Sequence, residues 1–390
     1  MNKTNQVARE LVCSGVDKQF ARTLLSWYKT YGRHSLPWQK NNDWYSRLLS
    51  EIMLQQTQVQ TVIPYFEKFL AAYPTANKLA KAEDDDVMKL WAGLGYYARC
   101  RNLLKAVRIV EFDRGGTPPS TAEEWVKLPG VGPSTAGALA AFVNGERAVM
   151  CDGNVQRTLS RIFAIEGYPG LKCFNKEVWA KAETLLPESV DMGDYTQALM
   201  DFGSMVCNRK PNCSSCPMRS ICQAYAKGTP TAYPQKKPKR ERPIKMVKVA
   251  IYVSRYLGTL SIWLKKRTKT KIWNELWCPE MTSFVAAGSP LPELQLFEDC
   301  VRATTTLPIV THDFTHFRLI IAPILVEIGG DLCEISSGDE EDFEDDNRPF
   351  SWLEEQGFES FNSNPNCWPA LPAPIKTILE ALFASDAKVA

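Results

Sequence analysis

A multidomain chain, all-helical in its first part and α/β (α+β) in its second, is the fold class that three observations predict. The length of 390 residues exceeds one ordinary domain of roughly 100–200 residues. Helical apolar spacing runs through residues 8–228 and gives way to strand-like runs beyond 247. Between them TPTAYPQKKPKRERPIK (229–245) has the Pro and Lys/Arg composition of a linker. The expected domains are 8–228, a basic linker at 229–246, and 247–390.

The elements follow in order. Val59, Val62, Ile63 and Phe66 keep i, i+3, i+4, i+7 spacing, with Thr57 as the expected N-cap. Ser120 and Glu123 make a capping-box pattern ahead of Trp125 and Leu128. Val155, Leu159 and Ile162 form another apolar stripe. VKVAIYVS (247–254) and TLSIWLKKR (259–267) read as strands around a Gly-containing turn, and residues 308–328 supply more strand sequence. A last helix is expected over 374–384, and the acidic run 339–346 as an exposed loop.

Composition removes several function classes. Hydrophobic residues are 45% and charged residues 23%, an ordinary globular balance. No run approaches the ~18 apolar residues of a membrane span, and the N-terminus lacks the apolar stretch of a secretory signal. Twelve cysteines, four of them within 207–222, argue for a metal or cluster site in a reducing, intracellular compartment. The net charge of +2 hides two patches. Residues 233–272 carry 13 Lys/Arg against one acidic residue, and 331–360 carry 12 Asp/Glu against one Arg.

Two motifs carry chemistry. Cys207, Cys213, Cys216 and Cys222 fall inside 16 residues, so four thiolates can converge on one tetrahedral metal or one cubane cluster. Zinc and iron–sulfur both fit the spacing. Arg209, Lys210 and Arg219 share the loop and can meet phosphates or simply be solvated. In LPGVG (128–132), Gly130 and Gly132 allow positive φ or close backbone approach, and Pro133 suits the start of the next helix. Amides at that start can hold a phosphate oxygen.

Together the hairpin and the cysteine loop resemble the helix-hairpin-helix DNA glycosylases of the endonuclease III superfamily. LPW (36–38), SEIMLQQTQVQTVIPYF (50–66), GLGYYARCRNL (93–103), LPGVGPSTAGA (128–138), DGNVQR (152–157) and THDFTHF (311–317) narrow the resemblance to MutY-type adenine DNA glycosylases, over about residues 18–384. The resemblance implies a helix-hairpin-helix glycosylase domain with one [4Fe-4S] cluster, then a Nudix-like domain. It implies base excision of adenine opposite 8-oxoguanine or guanine in double-stranded DNA, by a monomer in the bacterial cytoplasm or a nucleus. The family spaces its first two cluster cysteines by six residues, and here there are five.

Residue by residue, the resemblance makes Glu51 the general acid and Asp152 the carboxylate facing the sugar C1′, a pair of the kind glycoside hydrolysis uses. On the residues alone, Asp152 serves equally as a helix N-cap. Ser134 stands where bifunctional relatives carry an imine-forming lysine, so excision without strand cleavage is expected. The resemblance sets Gly130, Gly132, Ser134 and Asn154 against the DNA. It has Gln56 and Tyr96 entering the duplex as adenine leaves, and Trp38 and Gln197 lining the base pocket. Phe314, Thr315 and His316 match its Phe-Ser-His reader of 8-oxoguanine. No Nudix box stands near 270–310, so pyrophosphate hydrolysis is not expected. The rivals are an endonuclease III-like lyase acting on oxidised pyrimidines and a catalytically silent DNA-binding scaffold.

Overall fold

The computed structural model describes residues 3–40, 43–188, 190–238, 241–256, 259–294, 296, 300–329 and 350–386. The acidic run 339–346 lies outside them. The chain divides into two units, Met1–Lys239 and Arg240–Ala390.

The first unit is helical: α1 (Lys3–Tyr31), α2 (Pro37–Lys40), α3 (Trp44–Leu54), α4 (Val59–Ala72), α5 (Ala76–Ala80), α6 (Asp84–Trp91), α7 (Ala98–Arg108), α8 (Ala122–Trp125), α9 (Pro133–Asn144), α10 (Gly153–Ile162), α11 (Lys172–Thr184), α12 (Met192–Met205) and α13 (Gln223–Ala226). Leu48, Leu49, Ile52 and Met53 of α3 are completely buried, as are Val155 and Leu159 of α10. One core joins α1, α9, α10, α11 and α12, with Trp27 edge-on to Phe202 at 5.3 Å. Helix α9 reaches the middle of that core because its buried face is small. A Cβ on Gly137 would run into the Val149 carbonyl oxygen, so any larger residue would force the two segments apart.

Two expected caps shift by one residue. The N-cap of α4 is Gln58, without a side-chain cap bond, and the Thr57 hydroxyl donates to the Gln55 carbonyl instead (3.5 Å). The cap of α8 is Thr121 with Glu124: Thr121 Oγ1 accepts from the Glu124 amide (3.2 Å), and Glu124 Oε2 reaches past the N-cap to accept from the Ser120 amide (2.9 Å). Ser120/Glu123 and Thr121/Glu124 both satisfy the S/T-x-x-E pattern, and the chain folds on the second.

The second unit is a sheet with helices. Strands β1 (Ile244–Tyr256), β2 (Thr259–Lys266), β3 (Trp277–Cys278), β4 (Glu280–Met281), β5 (Val285–Ala286), β6 (Val301–Thr306), β7 (Val310–Asp313), β8 (Arg318–Ile328) and β9 (Phe358–Asn362) are joined by α14 (Ser351–Glu355) and α15 (Ala373–Asp386). The central order is β3-β2-β1-β8-β6. β1 and β2 pair antiparallel, whereas β1 and β8 run parallel from Ile244↔Arg318 to Ser254↔Ile328. Alternation along β1 feeds two cores. Val247, Val249 and Ile251 pack with Ile375, Ile378 and Leu379 of α15, while Ala250 and Tyr252 pack with Phe350, Leu353 and Phe358.

Candidate active site

Two carboxylates from separate elements of the first unit lie near enough for the charge of Asp152 to act on Glu51. Glu51 lies beside the buried arc of α3 and is itself partly buried. Asp152 caps α10: its Oδ1 accepts from the amides of Asn154 (2.9 Å) and Val155 (2.8 Å), and its Oδ2 from Asn154 Nδ2 (3.1 Å). The N-cap role is therefore real. Burial pushes the Glu51 carboxyl up to about 7, the Arg47 guanidinium one turn earlier pulls it down, and the Asp152 carboxylate pushes it up again. Burial also raises Asp152, against its amide hydrogen bonds and Arg157. Hydrogen bonds to a carboxylate favour its ionised form; at Asp152 they oppose burial, which still raises the carboxyl on balance, whereas Glu51 is pushed up to about 7.

The hairpin is tied to the chain just before Asp152. Ser134 Oγ accepts from the Cys151 amide (3.1 Å), tying the first turn of α9 to the residue before Asp152. Gly130 has φ +80°, and a Cβ there would lie 2.8 Å from Asn102 Cβ. Gly132 does not use the positive φ open to it. As N-cap of α9 it is extended (φ −85°) with open space where a Cβ would go, so no protein contact demands glycine there.

Gln56 and Tyr96 are both exposed, and Tyr96 keeps 52% of its surface accessible. Both adopt left-handed backbone conformations, φ 59° and 50°. Such a conformation costs a non-glycine residue about 1–3 kcal/mol and persists only when its surroundings enforce it.

The expected pocket residues separate. Trp38 is 2% exposed and edge-on to Phe66 at 5.5 Å. Gln197 lines a polar cavity of about 510 Å³ with Tyr28, His34, Gln39, Arg47 and Asp194, and donates to Asp201 Oδ1 (2.9 Å). Trp38 does not line that cavity; its neighbour Gln39 does.

The four loop cysteines line one small cavity with Arg161, Phe202 and Met218. Arg161 Nη1 approaches Cys207 Sγ at 3.5 Å. Backbone N–H groups of Met218 serve Cys216, and those of Tyr225 and Ala224 serve Cys222. Among the described residues, no three His, Cys, Asp or Glu side chains close on a single ion. Arg209, Lys210 and Arg219 are exposed.

In the second unit the Phe314 amide donates to the Phe317 carbonyl (2.9 Å), closing a tight turn with Thr315 and His316 at its exposed tip. Phe314 is stacked on Phe317 (4.5 Å, 19°), and Arg318 grips Asp313 with two nitrogens (2.6 and 2.9 Å).

Residues 49–184 match the HhH-GPD superfamily base excision DNA repair protein family. The adenine DNA glycosylase of Buchnera aphidicola subsp. Schizaphis graminum is 35% identical over 311 residues, 79% of this chain and 88% of the relative. The chain belongs to the adenine DNA glycosylase family. The human adenine DNA glycosylase is 41% identical over 215 residues, 53% of this chain and 39% of its own. A solved thermostable thymine-DNA glycosylase aligns with a TM-score of 0.50 at 32% identity, covering 55% of this chain and 99% of its own.

Within this adenine DNA glycosylase family member, several arginines matter that sequence reasoning did not single out. Arg157 Nη2 donates to Asn154 Oδ1 (2.9 Å) and Gly203 O (2.6 Å), and its Nε to Cys207 O (2.9 Å). A continuous hydrogen-bonded path thus joins the cysteine loop to Asp152. Arg47 lies over the Phe142 ring at 4.5 Å, and Arg99 is buried beneath Gln56 and Tyr96. Arg99 and Arg157 stand inside GLGYYAR and DGNVQR, but no spacing rule marks either.

Proposed function

We propose that this family member excises adenine from duplex DNA where it is mispaired with 8-oxoguanine or guanine, acting in base-excision repair by hydrolysis alone and so preventing G:C to T:A transversions. The observation that carries the reading is the unequal carboxyl pair. One acid with a proton affinity near neutrality and one hydrogen-bonded carboxylate is the division of labour that cleaving a glycosidic bond requires. Glu51 protonates adenine N7 as the N-glycosidic bond breaks. Asp152 stabilises the positive charge developing at C1′ or adds to it. The Glu51 carboxylate then takes a proton from water as water attacks C1′. Ser134 offers no amine, so no imine forms at that position and the strand stays intact.

Gln56 and Tyr96 fill the gap that the flipped adenine leaves, one by a flat amide and one by an aromatic face. Gln197, and Trp38 by packing, shape the base pocket. The Gly130–Gly132 hairpin, Ser134 and Asn154 lie along the DNA, with the open side of Gly132 suited to close approach of a phosphate. Thr315 and His316 read the base opposite adenine, on the platform that Phe314 makes. The relative named for thymine shares the helical fold, so base choice rests on the pocket and not on the architecture.

Cys207, Cys213, Cys216 and Cys222 are suited to one [4Fe-4S] cluster. Their sulfurs ring a cavity instead of meeting at a point, and N–H donors face them as anionic sulfur requires. When bound, the cluster supplies a covalent cross-link that fixes the loop. Visible absorbance and iron content of purified protein test it, and zinc without iron overturns it. The working species is a monomer, testable by light scattering.

The decisive experiment uses labelled duplexes containing A:8-oxoguanine, A:G or thymine glycol, with and without alkali. Breaks at adenine only after alkali support the reading. Breaks without alkali make the protein a lyase, and none at all makes it a scaffold.

A further inference from the structure

We propose that Arg99 is a positioning residue that locks the Gln56 and Tyr96 turns into one rigid wedge, so that both side chains are delivered to the base stack together. The proposal rests on reading those two residues as the groups that enter the duplex.

Arg99 is in the first turn of α7 and only 8% exposed. Its Nη1 donates to three carbonyls at the end of α3: Ile52 (3.1 Å), Met53 (2.6 Å) and Gln55 (2.6 Å). Its Nη2 donates to Leu94 (3.4 Å) and Gly95 (3.2 Å). The guanidinium also lies 5.4 Å from the centre of the Tyr96 ring and 5.5 Å from that of Trp91. Carbonyls at a helix C-terminus lack partners within the helix and carry partial negative charge, so a cation there is doubly favoured.

The pattern is specific. Gln55 O and Gly95 O belong to the peptide planes immediately before Gln56 and Tyr96. The orientation of that plane sets φ of the following residue, and these are the two residues held at φ 59° and 50°. One planar fork therefore grips the two peptide units whose tilt creates the two strained conformations. Gln55 extends the brace by donating from Nε2 to Gly130 O (3.1 Å), which ties the hairpin to the same assembly. A lysine keeps the charge but loses the fork geometry that reaches both turns at once.

The test is single-turnover adenine excision by the full chain on two DNAs: a stacked A:G duplex, and the same adenine inside an unpaired bubble where no stack must be opened. For Arg99→Lys the expected loss is about ten- to hundredfold on the duplex, the scale of lost charge-assisted hydrogen bonds. On the bubble the loss should stay within a few-fold. Equal losses on both DNAs would mean a general structural role and would overturn the proposal. The combined variant Gln56→Ala/Tyr96→Leu supplies the second arm. Adding Arg99→Lys to it should cost little more on the duplex, because residues acting through one another are not additive. Full additivity sinks the coupling alone. If Gln56→Ala/Tyr96→Leu has no effect on the duplex, the wedge reading itself is wrong. Should Arg99→Lys fail to fold, hydrogen exchange on the wild-type protein decides. Matched opening rates at residues 55–57 and 94–97 support one locked unit, and widely different rates overturn it.

Discussion

Glu51 and Asp152 of the helical unit are partly buried in a setting that raises both carboxyls, whereas Thr315 and His316 of the sheet unit stand exposed on the tip of a tight turn. The carboxyls owe their character to what surrounds them: burial, with Arg47 and Asp152 acting on Glu51, and the amides of Asn154 and Val155 with Arg157 acting on Asp152. The turn residues owe theirs to what lies beneath: the Phe314–Phe317 stack, His312 against Phe314 at 4.7 Å, and the Arg318–Asp313 grip. Chemistry at neutral pH needs altered proton affinity, which desolvation, nearby charge and hydrogen bonding supply. Recognition needs an ordinary donor held still at an exposed point. Substitutions in the first region should therefore change rates and pH dependence, and those in the second should change selectivity.

The largest effect is expected from Glu51→Gln. It keeps the shape, loses the transferable proton, and should lower single-turnover excision by about 10²–10⁴-fold with mispair binding retained. Its stability should carry a matching signature. The folded state raises the Glu51 carboxyl from its ordinary value to about 7, so the folded state binds the extra proton and wild-type stability falls as pH rises through that interval. Glu51→Gln should thus melt higher than wild type at pH 8 and level with it near pH 4. A melting difference that does not change with pH would deny the perturbed carboxyl.

Asp152→Asn separates two roles in one residue. Asn caps a helix about as well as Asp, so the amide bonds from Asn154 and Val155 to Oδ1 should survive and the fold should hold, at the cost of the bond from Asn154 Nδ2 to Oδ2. Loss of the charge should cost about 10²–10³-fold in excision, the scale of removing one preorganised electrostatic group. An active Asn variant would leave only the cap. In the wild type, the excision step should fall about tenfold per pH unit above about 7, as Glu51 gives up its proton. A flat profile to pH 9 would remove Glu51 as the acid.

Much of this site was legible because its signals are local. The cysteine spacing, the LPGVG turn and the Val155 stripe each lie within a few residues of chain, and the family blocks carry Glu51 and Asp152. What escaped was long-range. Arg99 meets Gln55 O across 44 residues and Arg157 meets Cys207 O across 50, and no periodicity encodes a side chain reaching a distant carbonyl. The parallel pairing of β1 with β8 is of the same kind. Strand sequences declare themselves by composition, but a partner some 70 residues away does not. The shifted cap of α8 has a different cause: Ser120/Glu123 and Thr121/Glu124 overlap one residue apart, and local pattern alone does not choose between them.

The smallest and most selective effect is expected from Thr315→Val. The substitution keeps the β-branched shape that an extended turn tip accepts and removes only a hydroxyl. Thr315 is exposed, and the stack beneath it is made by Phe314 and Phe317, so the platform should persist and the melting temperature should not move. A well-placed hydrogen bond to a base edge discriminates by about 1–3 kcal/mol, so the preference for A:8-oxoguanine over A:G should narrow by roughly ten- to a hundredfold. Single-turnover excision at A:G should stay at the wild-type rate, because the carboxyl pair belongs to the other unit. His316→Ala provides the control on the neighbouring residue of the same tip. If both variants keep the wild-type ratio, the turn does not read the opposite base. If either lowers A:G excision as well, the division of labour between buried chemistry and exposed recognition is wrong.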